Sequence, residues 1–134
     1  MLDHHRALIY TMVIVSAADS EMPDAELRII GDIVGDLPIF RDFDNSELPK
    51  VLNDCTELIN RENGLEETLK VIKTALPARL RETAYAIACD LVAADGAATQ
   101  EELRILELIR HRLNIDPLIA AAVERGARAR FQTL

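Results

Sequence analysis

The stretch AADSEMPDAELRI, residues 17–29, recurs as AADGAATQEELRI at residues 93–105. The two stretches align without gaps, and seven of the thirteen positions are identical. Apolar residues before and after each stretch recur at the spacing of an α-helix. Each copy therefore predicts the same unit, namely a buried helix, a tight acidic turn and an amphipathic helix. Two such hairpins packed about a pseudo-two-fold axis would bring their turns near one another.

The rest of the chain also reads as helical. No segment shows the sustained alternation of apolar and polar residues that is typical of a strand. Capping chemistry marks several boundaries: Thr99 with Glu102 forms a capping-box pattern, and Asp116 precedes a proline at a first helical position. Asn63-Gly64 predicts a left-handed helix stop. The predicted helices span 3–18, 24–36, 46–62, 65–76, 78–94, 99–113 and 117–129.

The first and fifth predicted helices are apolar on nearly all faces, which is typical of helices buried on most sides. The other helices are amphipathic and should pack around this pair. The predicted fold is therefore all-α, a compact bundle of about seven helices with an internal helical-hairpin repeat. The whole chain, residues 1–134, is predicted to form a single domain.

Composition narrows the classes of function. The 134 residues carry a net charge of −8, with 28% charged and 49% hydrophobic residues, which is globular composition. The acidic balance argues against a nucleic-acid or anionic-membrane binder, because both need a positive surface. No apolar run reaches the ~20 residues of a membrane span, and the start lacks a signal-peptide pattern. These features predict a cytoplasmic protein that is not an integral membrane protein.

Each repeat keeps an aspartate at the end of the incoming helix and a glutamate seven residues later. Four carboxylates result: Asp19, Glu26, Asp95 and Glu102. Carboxylates are hard oxygen donors that suit Ca²⁺, Mg²⁺ or Mn²⁺ better than softer ions such as Zn²⁺. The alternative is purely structural, because acids in a first helical turn cap backbone N–H groups and favour the helix dipole. The residue pattern leaves both readings open, but it lacks the ligand spacing of a calcium EF-hand.

Other chemistry-bearing residues have simpler interpretations. Asp90 interrupts an apolar run of the fifth helix, so its carboxylate needs a partner or a cation. Cys55 and Cys89 fall on apolar faces and are predicted to be buried hydrophobes. Adjacent His4 and His5 point about 100° apart on a helix and are expected to be solvated.

Two surface segments keep alternative interpretations. Phe40 and Phe43, in the loop after the second helix, either close the edge of the core or anchor a partner. The basic segment 125–130 either complements a helix dipole or docks an acidic surface. No nucleophilic triad or phosphate-binding glycine loop occurs, so an enzyme is not predicted. A divalent-dependent hydrolase that uses the four carboxylates would lack a nucleophile.

Ala93-Ala94-Asp95-Gly96 followed by Glu102 resembles the signature of the tellurite-resistance protein TerB family, and residues 17–19 with Glu26 match its other half. The resemblance covers nearly the whole chain, although Ser20 and Pro23 depart from the pattern of the second copy. It implies an all-helical, cytoplasmic bacterial domain that has no established catalytic activity and is linked to tellurite resistance and wider chemical stress.

The resemblance also implies a divalent metal ion, Ca²⁺, Mg²⁺, Mn²⁺ or Zn²⁺, held by an acidic cluster, and protein partners in a complex near the inner face of the membrane. Carried over residue by residue, the cluster consists of Asp19, Glu26, Asp95 and Glu102. The predicted function is a non-enzymatic, metal-binding stress-response domain. The alternative is a metal-free protein–protein interaction scaffold in which these acids only cap helices.

Overall fold

The computed structural model describes residues 2–19, 24–94, 96 and 98–134, with the side chains of residues 19 and 25 excepted. The described residues form seven α-helices and no strand. In chain order these are α1 (His4–Ser16), α2 (Asp24–Asp36), α3 (Leu48–Ile59), α4 (Gly64–Ala75), α5 (Ala78–Ala94), α6 (Gln100–Arg112) and α7 (Pro117–Arg130). Single 3₁₀ turns occupy Ala17–Asp19, Pro38–Phe40 and Asn45–Glu47. The all-α prediction is confirmed, and α2 and α5 have the predicted bounds.

Helix α1 lies at the centre of the bundle. It packs against α2, α3, α4, α5 and α6, and every residue from Ala7 to Ser16 is buried. Helix α5 packs against α1, α2, α6 and α7. The two helices that were predicted to be apolar on nearly all faces are thus the two that most other helices cover, as burial of apolar surface requires.

The core draws buried apolar residues from all seven helices. Among the largest side chains with almost no exposure are Leu8, Met12, Ile72, Tyr85 and Ile109. The contacts between the hairpins are reciprocal, because α1 packs against both α5 and α6 while α5 packs against both α1 and α2. This pattern is the one expected of two hairpins packed against each other, while their origin as an internal repeat stays a prediction.

Local chemistry explains where several helices begin. The Asp116 carboxylate accepts hydrogen bonds from the backbone N–H groups of Leu118 and Ile119, and Pro117 takes the first position of α7. Asn63 adopts the predicted left-handed conformation with φ of 57°, but it precedes α4 and does not end the third helix, because α3 already ends at Ile59 with Asn60 in the right-handed conformation. Gly64 starts α4 one residue before the predicted bound. Glycine is required at this position because a Cβ would overlap the Ile59 carbonyl oxygen.

The prediction of solvated histidines is wrong for His5, which is 8% exposed. Its Nε2 lies 2.9 Å from the Ile39 carbonyl oxygen and 3.1 Å from Asp42 Oδ1. The ring also contacts Phe40 and Phe43. Because Phe40 is 3% exposed and Phe43 packs against the same cluster, the loop after α2 closes the edge of the core.

Candidate functional site

The structure singles out two of the four predicted ligand residues by their burial. Glu26 and Glu102 are 7% and 3% exposed, and they are the acids that the described part of the chain buries. Each occupies the third position of its helix, Glu26 in α2 and Glu102 in α6. Acids are almost never buried without compensating contacts. The equivalent positions in the two hairpins therefore share an uncommon environment.

Glu102 takes part in the predicted capping box. The backbone N–H of Thr99 donates to Glu102 Oε1 over 2.9 Å, and the backbone N–H of Glu102 donates to Thr99 Oγ1 over 3.1 Å. The capping interpretation is therefore confirmed for this residue. A carboxylate has about four lone-pair sites, so one accepted hydrogen bond leaves acceptor capacity for a cation.

Glu26 cannot repeat this arrangement. The residue before α2 is Pro23, and proline has no backbone N–H to offer a glutamate three residues later. The two hairpins thus place a buried glutamate at the same helical position with different local chemistry. A capping box accounts for the glutamate of α6 but not for the glutamate of α2.

The other two members of the predicted cluster are aspartates. The side chain of Asp19 and the whole of Asp95 lie outside the described residues. The 3₁₀ turn Ala17–Asp19 packs against α6, the helix that carries Glu102. Within the described residues, no group of three or more acidic, histidine or cysteine side chains is arranged to hold a metal ion. A metal site at these turns would therefore need Asp19 and Asp95 in addition to the two buried glutamates.

A groove lies between α5, α6 and α7, and we call it the α5–α6–α7 groove; its volume is about 340 Å³. Its lining includes the apolar residues Val92, Leu106 and Ala127, and also Arg110 of α6 and Arg128 of α7. The sequence did not predict this groove. Its lining residues come from three helices that are brought together only by tertiary packing, so no local sequence motif predicts it.

Tyr85 of α5 lines this groove. It donates a hydrogen bond to Glu124 Oε2 over 2.5 Å, and Tyr85 is 2% exposed. Burial raises the pKa of the Tyr85 phenol far above its ordinary value, and the hydrogen bond to the Glu124 carboxylate adds to this shift. Tyr85 is therefore a neutral hydrogen-bond donor at physiological pH.

The cysteines are buried, as predicted. Cys55 is 0% exposed and Cys89 is 4% exposed, and burial raises the pKa of each thiol to about 12. The thiolate is the reactive form of cysteine, and this form is scarce at neutral pH when the pKa is so high. Neither side chain is thus prepared to act as a nucleophile.

Asp90, which was expected to need a partner or a cation, has an arginine as its partner. Arg130, at the end of α7, forms an ion pair with the Asp90 carboxylate of α5. This pair explains how an acid is tolerated in an apolar run. It also means that one arginine of the basic segment 125–130 binds α5. The other arginines of that segment, Arg125 and Arg128, are exposed.

Within the residues that the structure describes, no helix is both long enough and apolar enough to cross a bilayer. Comparison with curated proteins and with solved structures gave no match. Comparison with family models gave one described as "Tellurite resistance protein TerB", which matches residues 5–124 and so extends from α1 into α7. The match includes both acidic turns and both buried glutamates. The chain therefore belongs to the tellurite resistance protein TerB family.

Proposed function

We propose that this chain is a non-enzymatic domain of the bacterial tellurite and chemical-stress response. In this proposal it binds a divalent cation at the two acidic turns, through Asp19, Glu26, Asp95 and Glu102. Family membership supports the link to tellurite. The observation that carries the metal site is the burial of Glu26 and Glu102 at the same position of equivalent helices, beside both turns.

The donor chemistry supports a hard cation. Glu26 and Glu102 are carboxylates, and so are the two aspartates that would complete the set. Ca²⁺, Mg²⁺ and Mn²⁺ favour oxygen ligands, whereas Zn²⁺ more often takes histidine and cysteine. A cation would also offset the unfavourable desolvation of two buried carboxylates. When bound, it would link the first turns of α2 and α6.

The domain would act in the cytoplasm with protein partners, in a complex near the inner face of the membrane. The family resemblance of the two turns supports this placement. A non-catalytic role is supported by the two thiols, whose raised pKa keeps them protonated. It is also supported by a sequence without a phosphate-binding glycine loop.

The second candidate function is a metal-free protein–protein interaction scaffold. The capping box formed by Thr99 and Glu102 favours it, because this bond gives Glu102 a structural role that needs no metal. In this case the acidic turns only shape the hairpins. Binding would then take place at another surface.

Thermal unfolding distinguishes the two candidate functions. The Tm of metal-stripped protein is measured with and without millimolar Ca²⁺, Mg²⁺, Mn²⁺ or Zn²⁺. A ligand at a hundredfold excess over its Kd stabilises the native state by about 2.7 kcal/mol. We expect one of these ions to raise the Tm of the wild type, and we expect Asp19→Asn and Asp95→Asn each to abolish the rise.

Glu102→Gln sharpens the test, because glutamine also completes a capping box but carries no charge. We expect this variant to melt near the wild type without metal and to lose the metal-dependent rise. Asp24→Asn and Glu101→Gln are the matched controls, since both residues are exposed acids in the same first helical turns. A wild type whose Tm no ion changes would reject the metal site and leave the scaffold.

A further inference from the structure

A groove with a volume of about 360 Å³ runs between α2 and α5, on the side of α5 away from the α5–α6–α7 groove. Its lining is largely apolar. Ile29 and Ile33 line it from α2, Leu37 from just after α2, Ile87 from α5, and Phe131 from the segment after α7. Phe131 is 43% exposed, so it offers apolar surface to a partner in the groove. We call this feature the α2–α5 groove.

Carboxylates border the same groove. Asp32 and Asp36 of α2 are exposed, and neither forms an ion pair within the described part of the chain. Asp90 of α5 also lines the groove, and it is neutralised by Arg130. Among the described residues, the border therefore carries two uncompensated negative charges, which lie four residues apart on one helix. Four residues of helix rise about 6 Å.

We propose that the α2–α5 groove docks a cationic amphipathic helix of a partner protein. The apolar residues of such a helix would cover Ile33, Leu37 and Phe131, in the manner of helix-in-groove recognition. Lysine or arginine residues one turn apart on the partner would match the spacing of Asp32 and Asp36. The net charge of −8 would steer a cationic partner toward the protein.

Charge also favours a cationic helix over the other molecules that could occupy the groove. Anionic lipid and nucleic acid both present phosphates, which Asp32 and Asp36 repel. A second copy of this chain would bring another net charge of −8 against the groove. A cationic helix is the occupant that gains from both the apolar lining and the acidic border.

This inference does not depend on the metal proposal. Of the proposed metal ligands whose side chains the structure describes, Glu26 and Glu102, neither lines the α2–α5 groove. Peptide binding is therefore measured in the presence of EDTA, where a metal site would be empty. Loss of peptide binding and loss of metal binding are then separate results.

The experiment titrates a fluorescent helical peptide of about 14 residues, built from leucine and lysine on opposite faces, and follows fluorescence anisotropy. The comparison probe replaces each lysine with glutamate. The protein variants are Asp32→Asn/Asp36→Asn, which removes the acidic border, and Phe131→Ala, which removes apolar lining. Glu57→Gln/Glu62→Gln is the matched control, because it removes two exposed acids that do not line the groove.

We expect the lysine peptide to bind the wild type and the glutamate peptide not to bind. Asp32→Asn/Asp36→Asn should weaken binding about fivefold and reduce its dependence on salt. Phe131→Ala should weaken binding without changing the salt dependence, and the matched control should bind like the wild type. All substituted residues are exposed, and melting curves confirm that each variant is folded before its affinity is compared.

Three results would overturn the proposal. The first is a matched control that weakens binding as much as the groove variant does, because the attraction would then be general to an acidic protein. The second is binding of vesicles that contain phosphatidylglycerol while the lysine peptide fails to bind. The third is a dimer in sedimentation velocity that Phe131→Ala dissociates, because a second copy would then occupy the groove.

Discussion

Tyr85 of α5 donates a hydrogen bond to Glu124 of α7 over 2.5 Å, although the two residues lie 39 positions apart in the chain. This bond joins the two helices. The buried residues of α7 are the small Ala120 and Ala127, and Arg130 adds an exposed ion pair with Asp90 of α5. Alanines bury little apolar area, so each contributes little to the free energy of unfolding. A charge-assisted hydrogen bond is therefore a large part of what positions α7.

Replacement of Tyr85 by phenylalanine should lower the free energy of unfolding by about 1.5–2 kcal/mol. The ring stays in place, but Glu124 loses a donor, and hydrogen bonds to charged groups contribute about 1.5–3 kcal/mol. Urea unfolding followed by circular dichroism measures the change. Glu107→Gln, on the same groove, is the control and should be nearly neutral. A Tyr85→Phe variant as stable as the wild type would show that the bond does not hold α7.

Stability should fall as the pH rises above about 9. The thiols of Cys55 and Cys89 ordinarily have a pKa of 9.0, and burial raises each to about 12 in the folded protein. Above pH 9 the unfolded chain therefore loses protons that the folded chain keeps, so unfolding becomes more favourable. The raised pKa of Tyr85 acts in the same direction above pH 10.

The measurement is urea unfolding at several pH values between 7.5 and about 10.5, under reducing conditions. Each such group contributes a slope of at most about 1.4 kcal/mol per pH unit. Cys55→Ala should be less stable than the wild type at every pH because it leaves a cavity, but its stability should fall less steeply. Parallel curves for the two proteins would contradict the assignment to Cys55.

The capping box at the start of α6 should be worth about 1 kcal/mol. Thr99→Ala removes the hydroxyl that accepts from the Glu102 backbone N–H, and loss of an N-cap typically costs about that amount. Thr99→Ser keeps the oxygen and should be close to the wild type. The effect should be the same in EDTA as in divalent salt. An effect that appears only with metal would show that Thr99 supports ion binding instead of the helix.

Gly64→Ala should destabilise the protein by about 3 kcal/mol. The added Cβ would overlap the Ile59 carbonyl oxygen, so the backbone between α3 and α4 would have to move. The chain offers a matched control in Gly35, within α2, where a Cβ would meet no atom within 4 Å. Because alanine is the better helix former, Gly35→Ala should stabilise by about 0.5–1 kcal/mol. Thermal melts of both variants test the pair, and equal effects would contradict it.

Helix positions were predictable because their causes are local. Apolar spacing within one helix and the capping residues Thr99 and Asp116 are visible in a few neighbouring positions, and the structure places helix starts at both. The buried environment of His5 was not predictable. Its partners, Ile39 and Asp42, lie 34 and 37 residues away, and only the folded loop brings them together.

The candidate site was predictable in part for a similar reason. The repeat marked Glu26 and Glu102 as equivalent, and the structure buries both. The convergence of Asp19 and Asp95 with them stays a prediction, since their side chains lie outside the described residues. Neither groove could be predicted, because Tyr85, Glu124 and Phe131 acquire their neighbours from the way α5 packs against α2, α6 and α7.

The central position of α1 has a consequence for synthesis. This helix leaves the ribosome before the other six helices, yet two of the helices that cover it, α5 and α6, are made only after α4, and α6 ends at Arg112. Part of its apolar surface therefore stays uncovered until α6 has emerged. Such a nascent segment is open to wrong association with other chains, and a chaperone that holds short apolar helices would protect it.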